Sequence, residues 1–149
     1  MTKLILSAQY IPVVGKGQAR WNNLHVYDLS NLFLLLAEAA VAQRQDNELW
    51  GSRGYFIVES GEHLWTDIAE RIAHHAEQKG FASNLQKAEL SKDAAFEQAG
   101  FQAVSWGLNS RAKAVRAGRT LGWKPTAPSL EDTLPEIVQQ EHDRLQSSG

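Results

Sequence analysis

The chain reads as a mixed α/β domain, predominantly helical with a few short strands. Two observations predict this. Trp65, Ile68, Ala69, Ile72, Ala73 and Ala76 recur at helical spacing opposite Asp67, Glu70, His74 and Gln78, the signature of a helix with one buried edge. Short runs rich in β-branched and aromatic residues, Leu24–Val26 and Gly54–Glu59, interrupt the helical segments and suit strands.

Taken in order, residues 2–9 suit a short first helix turning into the loop at Pro12, although Leu4-Ile5-Leu6 by itself fits a helix or a strand. Gly15-Lys16-Gly17 then makes a loop, because glycine tolerates backbone conformations and close approaches that a Cβ forbids. The strand Leu24–Val26 leads into a helix spanning 29–43, with Asp28 as its N-cap and Leu29, Leu32, Phe33, Leu36 and Ala40 on one face. An aspartate there accepts free amide hydrogens and suits the positive helix end. Leu34 and Leu35 fall outside that face, so this helix is apolar nearly all round and needs cover on its far side. The strand Gly54–Glu59 precedes a helix capped by Ser60 and ended by Gly80. Ser91 opens a shorter helix with Ala94, Ala95 and Phe96 inward and Gly100 as its stop. Asn109 or Ser110 opens another that ends near Leu121-Gly122. Ser129 and Asp132 resemble a capping box for the last helix, and Pro135 either kinks it or marks a later start. One domain over 1–145 with a frayed tail over 146–149 is the expected organisation.

Composition narrows the function classes. At 149 residues, with 43% hydrophobic and 21% charged side chains, the chain suits a globular domain that buries about two-thirds of its unfolded surface. A net charge of −2 supplies no electrostatic drive towards nucleic acid or anionic membrane. The absence of cysteine excludes disulfides, thiol catalysis and cysteine-ligated zinc. No apolar run reaches membrane-spanning length, and Leu4-Ile5-Leu6 is too short for a signal sequence. The cytoplasm is the expected location.

The stretch from Gly15 to Ser30, GKGQARWNNLHVYDLS, together with Asn109-Ser110-Arg111 and Leu121-Gly122-Trp123-Lys124-Pro125, resembles the second half of extended short-chain dehydrogenase/reductases. These are NAD(P)-dependent epimerase/dehydratase-like proteins, and the likeness runs from Leu4 to Leu145. It implies a Rossmann-type relative whose C-terminal half grips a small carbonyl or hydroxyl substrate while NAD or NADP is held by the other half. The substrate-side candidates it implies are Gly15, Gly17, Trp21, Asn22, His25 and Arg111.

Other features of the family are missing. Gly15-Lys16-Gly17 lacks the third glycine of a dinucleotide loop and the acidic residue that would follow on a second strand. Tyr10, Tyr27 and Tyr55 are followed at the fourth position by Val14, Asn31 and Glu59, never by lysine, so no Tyr-x-x-x-Lys proton donor exists. The expectation is therefore a substrate-side fragment, not catalytic alone, with no catalytic, cofactor or metal residues of its own; a truncated gene product would account for it. The rival is a non-catalytic interaction or regulatory domain, self-associating or binding a partner through the apolar far side of the 29–43 helix.

Individual residues have competing uses. His25 can donate to a substrate or hydrogen-bond beside a helix start. Trp21 stands where nucleotide-sugar-binding relatives carry an arginine, and Arg20, displaced by one, would point to the opposite face of an extended segment; a nucleotide-sugar substrate is disfavoured. Arg111, placed in a first helical turn, opposes the macrodipole and calls for an anionic partner, either substrate or a glutamate such as Glu59 or Glu62. Lys113, Arg116 and Arg119 form an outward basic arc, read as a solvated face. His74 and His75 diverge by about 100° on a helix and cannot share a metal ion. Gly-x-Ser-x-Gly is absent, so no hydrolase nucleophile is indicated. Trp123, after a helix-ending glycine, locks that turn by packing.

Overall fold

The computed structural model describes residues 1–147. It is mostly helical, with four short strands: α1 (Thr2–Ala8), β1 (Ile11–Val14), β2 (Arg20–Asn23), α2 (Val26–Val41), β3 (Gly61–Leu64), α3 (Trp65–Gln78), β4 (Lys87–Leu90), α4 (Lys92–Ala99), α5 (Phe101–Val104), α6 (Val115–Leu121) and α7 (Leu130–Ser147). Single 3-10 turns lie at Gly51–Arg53 and Ser105–Gly107. No helix among the described residues is long and apolar enough to cross a membrane. The chain divides into two compact units. The first comprises Met1–Trp21, His63–Ser110 and Glu131 onward; the second comprises Asn22–Glu62 and Arg111–Leu130.

The first unit is organised by α3. Its buried stripe of Ile68, Ala69, Ile72, Ala73 and Ala76 matches the periodicity of the sequence and packs on α1 and β1. β1 pairs with β4 in parallel, Ile11 opposite Lys87 and Val14 opposite Leu90. A second cluster joins Leu4, Val14, Ala95, Ala103 and Trp106. α1 ends on Gln9 in the left-handed region, whose N–H donates to Ile5 O at 3.0 Å. Gly80 (φ +73°) ends α3 and Gly100 (φ +77°) ends α4 as expected. Ser91 caps α4 by accepting from the Ala94 N–H at 3.1 Å, but Phe96 points outward and is exposed. α7 includes Pro135 within the helix and runs through Gln146 and Ser147; Ser148 and Gly149 of the expected frayed tail lie outside the described residues.

The second unit is built on α2 and α6. Leu32, Ala117 and Trp123 form its centre, joined by Leu24, Leu35, Leu36, Phe56 and Val58. α2 starts three residues earlier than expected, so Leu24–Val26 is not a strand; the strand is β2, four residues upstream. Its inward positions are Asp28, Leu32 and Ala39, whereas Phe33 and Ala40 turn outward with Leu34. Val26, Tyr27, Phe33, Leu34 and Val41 are exposed, which agrees with a helix apolar on both sides.

Two further expectations are corrected. Gly54–Glu59 is extended but unpaired: Phe56 and Val58 turn into the core while Tyr55 and Ile57 face outward. The side-chain alternation of a strand is there, yet among the described residues no neighbouring strand pairs with it. Ser60 caps no helix; its N–H donates to Asn23 O at 2.8 Å. The helix expected from Asn109 begins only at Val115, because Asn109 and Ser110 hold the chain extended: Asn109 Oδ1 accepts from the Arg20 N–H and the Ser110 N–H donates to Arg20 O.

Gly15 and Gly17 are both left-handed, at φ +61° and +66°, but only Gly17 is enclosed. A Cβ there would lie 2.8 Å from both Thr66 Oγ1 and Val13 Cγ1, whereas one at Gly15 would meet nothing. Gly17→Ala therefore combines backbone strain with overpacking and should cost about 3 kcal/mol in urea denaturation. Gly15→Ala, strained but unobstructed, should cost about 1 kcal/mol.

Candidate functional site

In the first unit, the candidates Gly15, Gly17 and Trp21 surround a turn that leaves β1. The Gly15 N–H donates to Leu90 O at 3.0 Å, extending the β1–β4 pairing, and the Gly17 N–H closes the turn on Val14 O at 3.3 Å. Gly17 O accepts from Thr66 Oγ1 at 2.8 Å, so this glycine lets the loop approach the start of α3. Trp21 donates from Nε1 to Leu108 O at 2.7 Å and its ring tilts against Trp65 at 5.8 Å between centroids. His63, buried, sets its edge on Trp65 at 4.5 Å and 84°. Nothing in the local sequence pattern, Gly-Glu-His-Leu along β3, signals the aromatic group Trp21, His63 and Trp65.

In the second unit stand Asn22, His25 and Arg111. Asn22 Oδ1 accepts from the Ala112 N–H, and its Nδ2 donates to Gly61 O at 3.4 Å. His25, not Asp28, is the N-cap of α2: its Nδ1 accepts from the Tyr27 N–H at 3.1 Å. That fixes the tautomer with the proton on Nε2. Arg111 lies in extended chain, not a helical turn, so the macrodipole argument falls. Its guanidinium pairs with Glu62, one of the two partners weighed from the sequence, and is 61% exposed.

Asp28 has a different task from the one expected. Although 1% exposed, it accepts at Oδ1 from the N–H groups of Thr126 and Ala127, at 2.8 and 3.1 Å. The Asp28 carbonyl accepts from Trp123 Nε1 at 2.9 Å. Gly122, at φ +68°, ends α6 and turns Trp123 inward, as the sequence suggested. The carboxylate also sits in the first turn of α2, where the helix dipole favours negative charge.

A cleft of about 260 Å³ in this unit is lined by Tyr55, Ile57, Lys113, Val115, Arg116 and Arg119. By sequence the three cations read as a solvated arc; in the structure residues of the extended 54–59 segment line the same cleft. Among the described residues no group of three or more metal-ligating side chains converges. His74 and His75 stand with rings 5.7 Å apart and tilted.

The chain is 34% identical over 154 aligned positions to Oxidase ucsJ of an Acremonium species, a match covering 97% of this chain. The chain spans 43% of that relative's length. No family model and no solved structure matches it.

Removing the Asp28 carboxylate would remove two part-buried hydrogen bonds to it, and a bond to a charged group contributes roughly 1.5–3 kcal/mol. Asp28→Ala should therefore lower unfolding free energy by about 3 kcal/mol, against about 1 kcal/mol for loss of the His25 cap in His25→Ala. Arg111→Ala, which breaks an exposed pair, should cost no more than about 1 kcal/mol in the same denaturation measurement.

Proposed function

We propose that this chain is the substrate-facing part of an oxidoreductase of the NAD(P)-dependent epimerase/dehydratase-like kind, and that it does not catalyse alone. The observation that carries this reading is the identity to a protein named an oxidase along nearly the whole chain, with more than half of that protein lying outside the match. The two stretches that resemble the extended short-chain dehydrogenase/reductases, around His25–Asp28 and Leu121–Pro125, support it by meeting in space through Asp28 and Trp123.

The residues present do not fit a nicotinamide dinucleotide. Gly15 and Gly17 follow a strand but lead to another strand, not directly into a helix as a dinucleotide loop does. The space beside Gly17 is filled by Thr66 and Val13. A nicotinamide would supply hydride chemistry from outside this chain. This chain's contribution is to bind and orient the substrate. In the first unit that role falls to Trp21, whose half-buried ring is held by its bond to Leu108. In the second unit, Arg111 is the exposed cation among the three candidates, and Asn22 and His25 set the backbone around it.

Titrating NADH and NADPH fluorescence against the purified chain should give no saturable change, and saturable binding would overturn the assignment. Replacing the matching stretch of Oxidase ucsJ with this chain should leave measurable turnover. A folded chimera with none would refute the shared substrate role.

A further inference from the structure

The cleft in the second unit is not used by the function proposed above, and its construction is unlike a solvated basic face. Tyr55, Ile57 and Val115 leave 67%, 51% and 67% of their surface exposed around it. Apolar side chains gathered in the open beside cations make a surface that a bound molecule would cover favourably. Arg116 is fixed there. It donates from Nη1 to the carbonyl oxygens of Arg53 and Tyr55, the latter at 3.3 Å. Its guanidinium lies over the Tyr55 ring at 5.1 Å.

The charges around it define the ligand. Arg119 is occupied by both oxygens of Glu48 at 2.7 and 2.8 Å. Lys113 stands 3.6 Å from Glu59. Among the described residues Arg116 bonds to carbonyls only, so the three cations and two carboxylates leave one net positive charge, centred on a planar group with a stacked face. A guanidinium matches a carboxylate in shape as well as charge, and it stacks on flat rings. The volume lies just below the usual range of about 300–1,000 Å³ for ligand pockets, which suits a small molecule and not a dinucleotide.

We propose that this cleft binds a small aromatic carboxylate, with Arg116 meeting the carboxylate and Tyr55, Ile57 and Val115 covering the ring. The test is titration of the purified chain with benzoate, followed by NMR chemical shifts, with benzamide and inorganic phosphate in parallel. Benzoate should saturate with a Kd near or below about 1 mM, while the uncharged benzamide and the ring-free phosphate bind at least about tenfold more weakly. Arg116→Gln should weaken benzoate by about tenfold or more. Because Arg116 also braces two carbonyls, Val115→Glu is the second variant: it changes an exposed wall residue, leaves the brace intact and should abolish binding by adding an opposing charge. Failure of benzoate to saturate by about 10 mM, equal binding of benzamide or phosphate, or unchanged affinity in a folded Val115→Glu would each overturn the proposal. None of these results touches the nicotinamide titration, so the two readings stand or fall separately.

Discussion

The second unit depends on one buried carboxylate. A charge taken out of water is costly unless hydrogen bonds replace its hydration, and Asp28 is almost fully enclosed. It is stabilised from two directions. The first turn of α2 offers its positive end, and the chain after Trp123 returns so that Thr126 and Ala127 donate to Oδ1. The demand of that single group fixes where the chain past α6 must run. Trp123 adds a second tie by donating to the carbonyl of the same residue, with its ring filling the space between α2 and α6.

That arrangement changes what the family-like stretches mean. The segment around His25–Asp28 and the Leu121–Pro125 segment are nearly a hundred residues apart in the chain, yet each satisfies groups of the other. What joins them in this chain is packing and hydrogen bonding. The same holds for Asn22, which accepts from the Ala112 N–H and donates to Gly61, and for His25, whose ring caps a helix. The residues of such a stretch can therefore be occupied in holding the fold together.

What could be read from sequence was what local physics decides. The α3 stripe, the Ser91 cap and the stops at Gly80, Gly100 and Gly122 all follow from periodicity, capping and left-handed backbone. What could not be read was settled by distant partners. β4 has the sequence Lys-Ala-Glu-Leu, unremarkable as a strand, and exists because β1 pairs with it. β3 contains Gly61 and Glu62, while the β-rich Tyr55–Val58 run stays unpaired. Asp28 is the better N-cap by residue type, but its carboxylate was needed by Thr126 and Ala127, and His25 took the cap. Arg111 is anomalous only if Asn109 opens a helix, and the helix begins at Val115. For the candidate site, the partners of Gly17, Trp21 and Arg111 come from β3, α3 and the 105–110 region, beyond the reach of local spacing.

The unpaired 54–59 segment has a consequence for where binding chemistry can reside. In a paired strand its carbonyls would be taken up by neighbouring backbone N–H groups, and the side chain of Arg116 would be left to solvent. Here the Tyr55 carbonyl accepts from that arginine instead, together with the Arg53 carbonyl in the turn just before the segment. Ordering a long cationic side chain normally costs conformational entropy at the moment of binding. Two carbonyls and an aromatic face have already restricted Arg116 before any ligand arrives. The defect in secondary structure thus produces a preorganised cation beside exposed apolar groups, and this combination, not the basic arc itself, distinguishes the cleft from an ordinary charged surface.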